Sequence, residues 1–187
     1  MKKLLFLLVT GFTFICSFAQ SKKTTYSAGL LFSKPAYFSN TESNNTTGVG
    51  LEIQTERLFS KKFSCTASLG YIHFSGTYTY INYSNIAHDT SISSYGNIPL
   101  FAGLRYYCWK KLFLGAEVGA MIQGSSNTST HLSLAPSVGY KFDIAKQHGI
   151  DVGLRLINTL PGYGIPEANS LTKGGYGIWV LKAAYAF

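Results

Sequence analysis

The sequence predicts an all-β protein, an eight-stranded antiparallel up-and-down β-barrel that spans a membrane. Three observations predict it. Apolar and polar residues alternate with a period of two along most of the chain, the mark of strands with two different environments. Downstream of the N-terminal segment no stretch repeats apolar residues at helical spacing, and none approaches the roughly eighteen apolar residues of a spanning helix. Short and long connections also alternate. In lipid, strands satisfy their backbone groups only in a closed barrel.

The first segment is an export signal. Met1, Lys2 and Lys3 form a basic start, residues 4–15 are an apolar run, and Cys16-Ser17-Phe18-Ala19 leads to a cut after Ala19. Cys16 lacks the small residues that precede a lipoprotein cleavage site. Residues 1–19 are therefore a signal peptide, and residues 20–187 form one barrel domain.

Strands are expected at residues 25–38, 48–59, 63–78, 93–107, 112–123, 131–142, 149–158 and 175–187. An even number returns both ends to one side. The connections Ser60-Lys61-Lys62, Cys108-Trp109-Lys110-Lys111 and 143–148 are short and carry lysine. Those at 39–47, 79–92, 124–130 and 159–174 are longer and rich in Ser, Thr, Asn and Gly. This is the pattern of short periplasmic turns and long external loops, so both termini are expected in the periplasm.

Each strand has an apolar and a polar face. In the second, Val49, Leu51, Ile53 and Thr55 oppose Gly50, Glu52, Gln54 and Glu56. In the fifth, Leu112, Leu114, Ala116, Val118, Ala120 and Ile122 oppose Phe113, Gly115, Glu117, Gly119, Met121 and Gln123. The polar faces together carry Glu52, Glu56, Glu117 and Asp151 against Arg105, Lys141, Arg155 and Lys182. A water-facing surface is normally far richer in charge. A narrow lumen needs small residues and ion pairs that neutralise one another. The polar face is accordingly assigned to the lumen and the apolar face to lipid. With the faces inverted, the chain would be a soluble barrel holding a small apolar ligand.

Aromatic residues are expected in two girdles, Phe59, Phe63, Tyr106, Trp109, Phe113, Phe142, Tyr185 and Phe187 at one rim, and Tyr37, Phe38, Tyr78, Tyr80, Tyr83, Tyr163 and Tyr176 at the other. Strand propensity alone also enriches these residue types. Pro35, Pro99 and Pro136 fall inside expected strands and call for bulges or projecting strand ends. Cys65 and Cys108 lie near the same rim on adjacent strands with the same parity, open to either a disulfide or two lipid-facing thiols.

The stretch from Tyr95 through Gly96-Asn97-Ile98-Pro99-Leu100 to Arg105-Tyr106-Tyr107, followed by Leu112-Phe113-Leu114-Gly115-Ala116-Glu117-Val118-Gly119, resembles the outer-membrane β-barrel domain family of small bacterial surface proteins. That resemblance implies an integral outer-membrane location, contact with membrane lipids and lipopolysaccharide, and no assigned activity for many members. It further implies that Trp179, Leu181, Ala183, Tyr185 and Phe187 form the C-terminal signal read by the barrel-assembly machinery.

An enzymatic alternative rests on His131-Leu132-Ser133, the spacing found in barrel enzymes that modify lipid A. Both side chains fall on the lumen face, and no Glu follows at a matching position. His73, His88, His131 and His148 show no metal-ligand spacing, and no cofactor motif is present. Without residues 1–19 the chain has 14 Lys and Arg against 8 Asp and Glu, and Lys61, Lys62, Lys110, Lys111 and Lys146 sit in the short turns. Turn lysines beside anionic headgroups account for the basic balance without nucleic acid. The expected function is a non-enzymatic barrel with a filled lumen, contributing to envelope integrity or to adhesion through its loops.

Overall fold

A computed structural model describes residues 24–36, 42–44, 46–81, 87–124, 129–145, 148–160 and 177–187. The expected signal peptide, Tyr37, Phe38, Tyr83, Lys146, Tyr163 and Tyr176 lie outside them. The strands are β1 Thr24–Ala36, β2 Glu42–Asn44, β3 Thr47–Leu58, β4 Phe63–Ile81, β5 Ala87–Trp109, β6 Leu112–Gly124, β7 Ser129–Asp143, β8 Gly149–Thr159 and β9 Gly177–Ala186. No helix occurs among the described residues. All pairings are antiparallel, and the β1–β9 and β4–β5 ladders close eight long strands into a barrel, with three-residue β2 pairing near the Ile81 end of β4.

The local causes are visible in the short turns. Ser60 Oγ accepts the backbone N–H of Lys62 and of Phe63, at 3.2 and 2.9 Å, fixing the β3–β4 reversal. The β5–β6 connection is tighter than expected: Lys110 and Lys111 alone link the strands, and Lys110 takes a positive φ of 44°. Between β7 and β8, Ile144 N donates to the His148 carbonyl at 2.9 Å.

Alternation then sets the faces. Leu51 and Ile53 are 65% and 62% exposed, whereas Glu52 and Gln54, which alternate with them, are 2% and 4% exposed. The same parity runs through β6 to β9, so the polar face fills the lumen and the inverted, soluble arrangement does not hold. Phe113 departs from its expected girdle position. It points inward, 1% exposed, and its ring lies under the Arg105 guanidinium at 4.1 Å. On the outer surface Phe63 meets Phe59 and Tyr106, the latter at 5.0 Å, and Tyr185 meets Phe187.

Two expectations are corrected. The β4–β5 hairpin is longer than the composition implied: its pairing runs from Phe63 opposite Tyr106 to Ile81 opposite Ala87. Thr77-Tyr78-Thr79-Tyr80-Ile81 is polar in composition yet rich in β-branched and aromatic residues, which favour strand. The prolines are accommodated in two ways. Pro35 pairs with Ile178 of β9 beyond the last β1–β3 rung at Ser33 and Gly48, a projecting end. Pro99 and Pro136 sit in mid-strand without bulges. The β4–β5 ladder omits two rungs between Leu69–Leu100 and Ile72–Asn97, and β7–β8 omits two between Leu134–Asn158 and Ser137–Arg155, with register unchanged. A proline lacks one donor, which faces one neighbour only, so the other ladders continue through Pro99–Met121 and Pro136–Ala116. The bulges lie elsewhere, at Phe74/Gly76, where Gly76 has φ 150°, and at Tyr107/Trp109.

Candidate functional site

The lumen is built in two tiers. Toward the end with the long connections, Leu31, Ile72, Phe74, Phe101, Met121, Ala135, Ile157, Ile178 and Val180 form a buried apolar cluster, against which Tyr95 packs. The Tyr95 ring stacks on Phe74 at 5.1 Å. Toward the end with the short turns, the charged residues meet.

Glu52 of β3 receives Arg155 of β8 at 2.6 Å and Lys182 of β9 at 2.7 Å. Arg155 Nε also stands 3.0 Å from Glu117 of β6, which accepts from Thr66 and Gln54 at 3.1 and 3.3 Å. Arg105 of β5 reaches Asp151 of β8 at 2.8 Å and Glu56 at 3.4 Å. Glu56 further accepts from Ser64 at 2.6 Å and from the Tyr107 hydroxyl, and Lys141 stands 3.5 Å away. The Gln54 carbonyl oxygen accepts from Arg105 at 2.9 Å and Lys182 at 2.6 Å, tying the two halves together. All eight sequence-assigned charges therefore meet in one network spanning the bore. Gln54, Ser64, Thr66, Tyr107 and Phe113 complete it. Parity signalled Gln54, Tyr107 and Phe113, each of which shares the face of a buried charge on its own strand, whereas Ser64 and Thr66 lie on β4, which carries no buried charge.

Buried charges are tolerated only when paired and hydrogen-bonded. Each of the four acids and four bases has an opposite charge within 3.5 Å, with no ionic excess, although Arg105 Nε and Asp151 Oδ1 have no hydrogen-bond partner, and an apolar tier lies above them. The arrangement holds opposite walls of the barrel together and blocks the bore.

The remaining assigned residues are dispersed. Ser133 is fully buried and donates to the His131 main-chain carbonyl at 3.4 Å, on the same lumen face as Ala135 of the apolar tier. Trp179, Leu181 and Tyr185 of β9, and Phe187 beyond it, project outward. Among the described residues no group of three or more His, Cys, Asp or Glu is placed to hold a metal.

Cys65 and Cys108 are free thiols. Cys65 lies opposite Leu104, so Cys108 is four residues further along β5, about 13 Å at roughly 3.3 Å per residue. A disulfide requires α-carbons within about 7 Å. Equal parity placed both thiols on one face but not at one level. Denatured, unreduced chain lacking residues 1–19 is expected to take two maleimide labels, and label gained only after reduction would contradict this geometry.

The geometry defines a class: this is the fold of the small eight-stranded outer-membrane β-barrels. Neisserial surface protein A, NspA, is similar with a TM-score of 0.59 at 14% identity over 89% of this chain and 98% of that one. Ail, the attachment invasion locus protein of Yersinia pestis, gives 0.53 at 16% identity over 90% and 100%, and OprG of Pseudomonas aeruginosa gives 0.53 at 9% identity over 89% and 95%. No family model and no curated protein matches the sequence.

Proposed function

We propose that the protein is an integral barrel of a Gram-negative outer membrane, non-enzymatic and closed to solutes, that supports the envelope or mediates adhesion through its external connections. One observation carries this reading: the polarity of the fold is inside out. At least 28 large apolar side chains are exposed among the described residues, while the charges lie within. Soluble monomers rarely expose contiguous apolar patches above a few hundred Å². A lipid exterior removes that penalty.

The blocked bore argues against a general pore, because an eight-stranded barrel has room only for its own side chains. Adhesion is favoured by the likeness to Ail, whose structure was also determined with the heparin analogue sucrose octasulfate. The lipid A enzyme reading is disfavoured by Ser133, enclosed in the lumen away from any lipid. Alkaline carbonate extraction of membranes is expected to leave the protein in the pellet, and planar-bilayer recordings to show no large, stable conductance. Release into the soluble fraction would reject the integral barrel, and steady large openings would reject the closed bore.

A further inference from the structure

The short-turn end of the barrel carries positive charge that the lumen network does not use. Lys61 in the β3–β4 turn and Lys110 in the β5–β6 turn are exposed, and neither stands within ion-pair distance of a carboxylate among the described residues. Together with Lys111 and Lys141 they line a cavity of about 250 Å³ at the mouth of the bore. The one carboxylate in that lining is Asp143, which is paired to Lys111. Lys111 is neutralised by Asp143 and Lys141 is shared with Glu56, so Lys61 and Lys110 leave two positive charges in excess around a partly enclosed space.

The inner wall of this space is formed by Tyr107 and Lys141, both of which also contact Glu56. Glu56 does not depend on Lys141. Its oxygens already receive Ser64, Tyr107 and Arg105, and Lys141 makes the longest of the four contacts at 3.5 Å. The Lys141 side chain is 18% exposed, compared with 5% for Lys182 deeper in the bore. Its ammonium has donors to spare, at the boundary between network and cavity.

A second, independent feature is the backbone of Lys110. It is the only non-glycine residue with positive φ among the described residues, at 44°. An L-residue there costs about 1–2 kcal/mol, which glycine avoids. A strained lysine on the rim of a cationic cavity points to a use for its charge.

We propose that this mouth binds a phosphate group, either on a lipid headgroup or as free phosphate. Ammonium groups act on phosphate as compact point charges, and a phosphate offers several acceptor oxygens and up to two charges against the excess of two. At about 250 Å³ the cavity has room for one hydrated phosphate. Phe59, Phe63, Trp109 and Phe187 are exposed at the same end, which sets the mouth at the level where aromatic belts meet headgroups. The site does not depend on which compartment this end faces.

The test uses the folded barrel in alkyl maltoside micelles, which contain no phosphate. It is titrated calorimetrically with inorganic phosphate and, separately, with short-chain phosphatidylglycerol, with the matching diacylglycerol as blank. Saturable binding of phosphatidylglycerol well below the phosphate concentration required identifies a lipid site. Equal or tighter binding of inorganic phosphate identifies free phosphate. Lys110→Gly relieves the backbone strain, so its urea midpoint is expected to equal or exceed that of wild type, while its affinity falls ~10-fold, the loss of one charge-assisted hydrogen bond. Lys141→Met is expected to weaken binding similarly. Lys62→Ala, on the same rim but outside the cavity lining, is expected to bind as wild type does. The proposal is overturned if neither probe saturates, or if Lys62→Ala loses as much affinity as Lys110→Gly.

Discussion

Replacing Arg105 by methionine is expected to destabilise the barrel by about 3–5 kcal/mol, the cost of breaking a buried ion pair from one side. The guanidinium is 3% exposed and stands between Asp151, Glu56 and Gln54 while covering the Phe113 ring. Without it Glu56 keeps Ser64, Tyr107 and Lys141, and Gln54 keeps Lys182. Asp151, 3% exposed, loses its ion-pair partner. The second substitution Asp151→Asn removes that orphaned charge and restores three acids against three bases, so the double variant is expected to recover more than half of the loss. Reversible urea unfolding in lipid vesicles, followed by tryptophan fluorescence, measures both. A loss below about 1 kcal/mol for Arg105→Met would mean that water screens the pair, as at an exposed surface, and that the bore is not sealed.

The second large effect concerns the outside. Leu51 lies near the middle of β3 and is 65% exposed, with Leu30 and Tyr71 opposite it on the neighbouring strands. In a bilayer, Leu51→Arg is expected to cost about 2–4 kcal/mol, because its charge enters the hydrocarbon midplane. Ile150→Arg, at the turn end of β8, is expected to cost only about 0–1 kcal/mol, since the interface solvates it. The depth dependence is the diagnostic. Equal small losses at both positions would show that the exterior meets water.

Much of this was legible in the sequence because a strand has period two, so one buried charge fixes the direction of every second residue around it. Glu52 alone orients Gln54 and Glu56, and Glu117 orients Phe113 and Met121. Parity is nonetheless silent on height. It placed Cys65 and Cys108 on one face, and only register separated them by four residues. It also could not show that Phe74, Phe101 and Met121, lying on nominally polar faces, would gather into an apolar tier, because that depends on how eight strands are staggered. Pro99 and Pro136 were misread for a different reason. A missing donor was treated as a fault of the whole strand, whereas each proline loses contact with one neighbour and keeps the other. The network members Tyr107 and Gln54 escaped notice because charge was counted and neutral hydrogen-bonding partners were not.

Among the eight long strands, every ladder except β1–β9 joins strands that follow one another in the chain, with only three-residue β2 set between β1 and β3. The seam between β1 and β9 is therefore the most non-local pairing, with the largest loop-closure entropy to overcome, and the natural last step of folding. Lys182 arrives on β9 at that step, and it meets Glu52 and Gln54 on β3 across 130 and 128 residues of sequence. Until the seam zips, Glu52 has Arg155 but not its second cation, and the charged tier lies open to water along one side. Closing the ring and neutralising its interior are thus a single event. A barrel stalled one strand short retains a hydrated ionic core, which sharpens the energetic difference between complete and incomplete molecules.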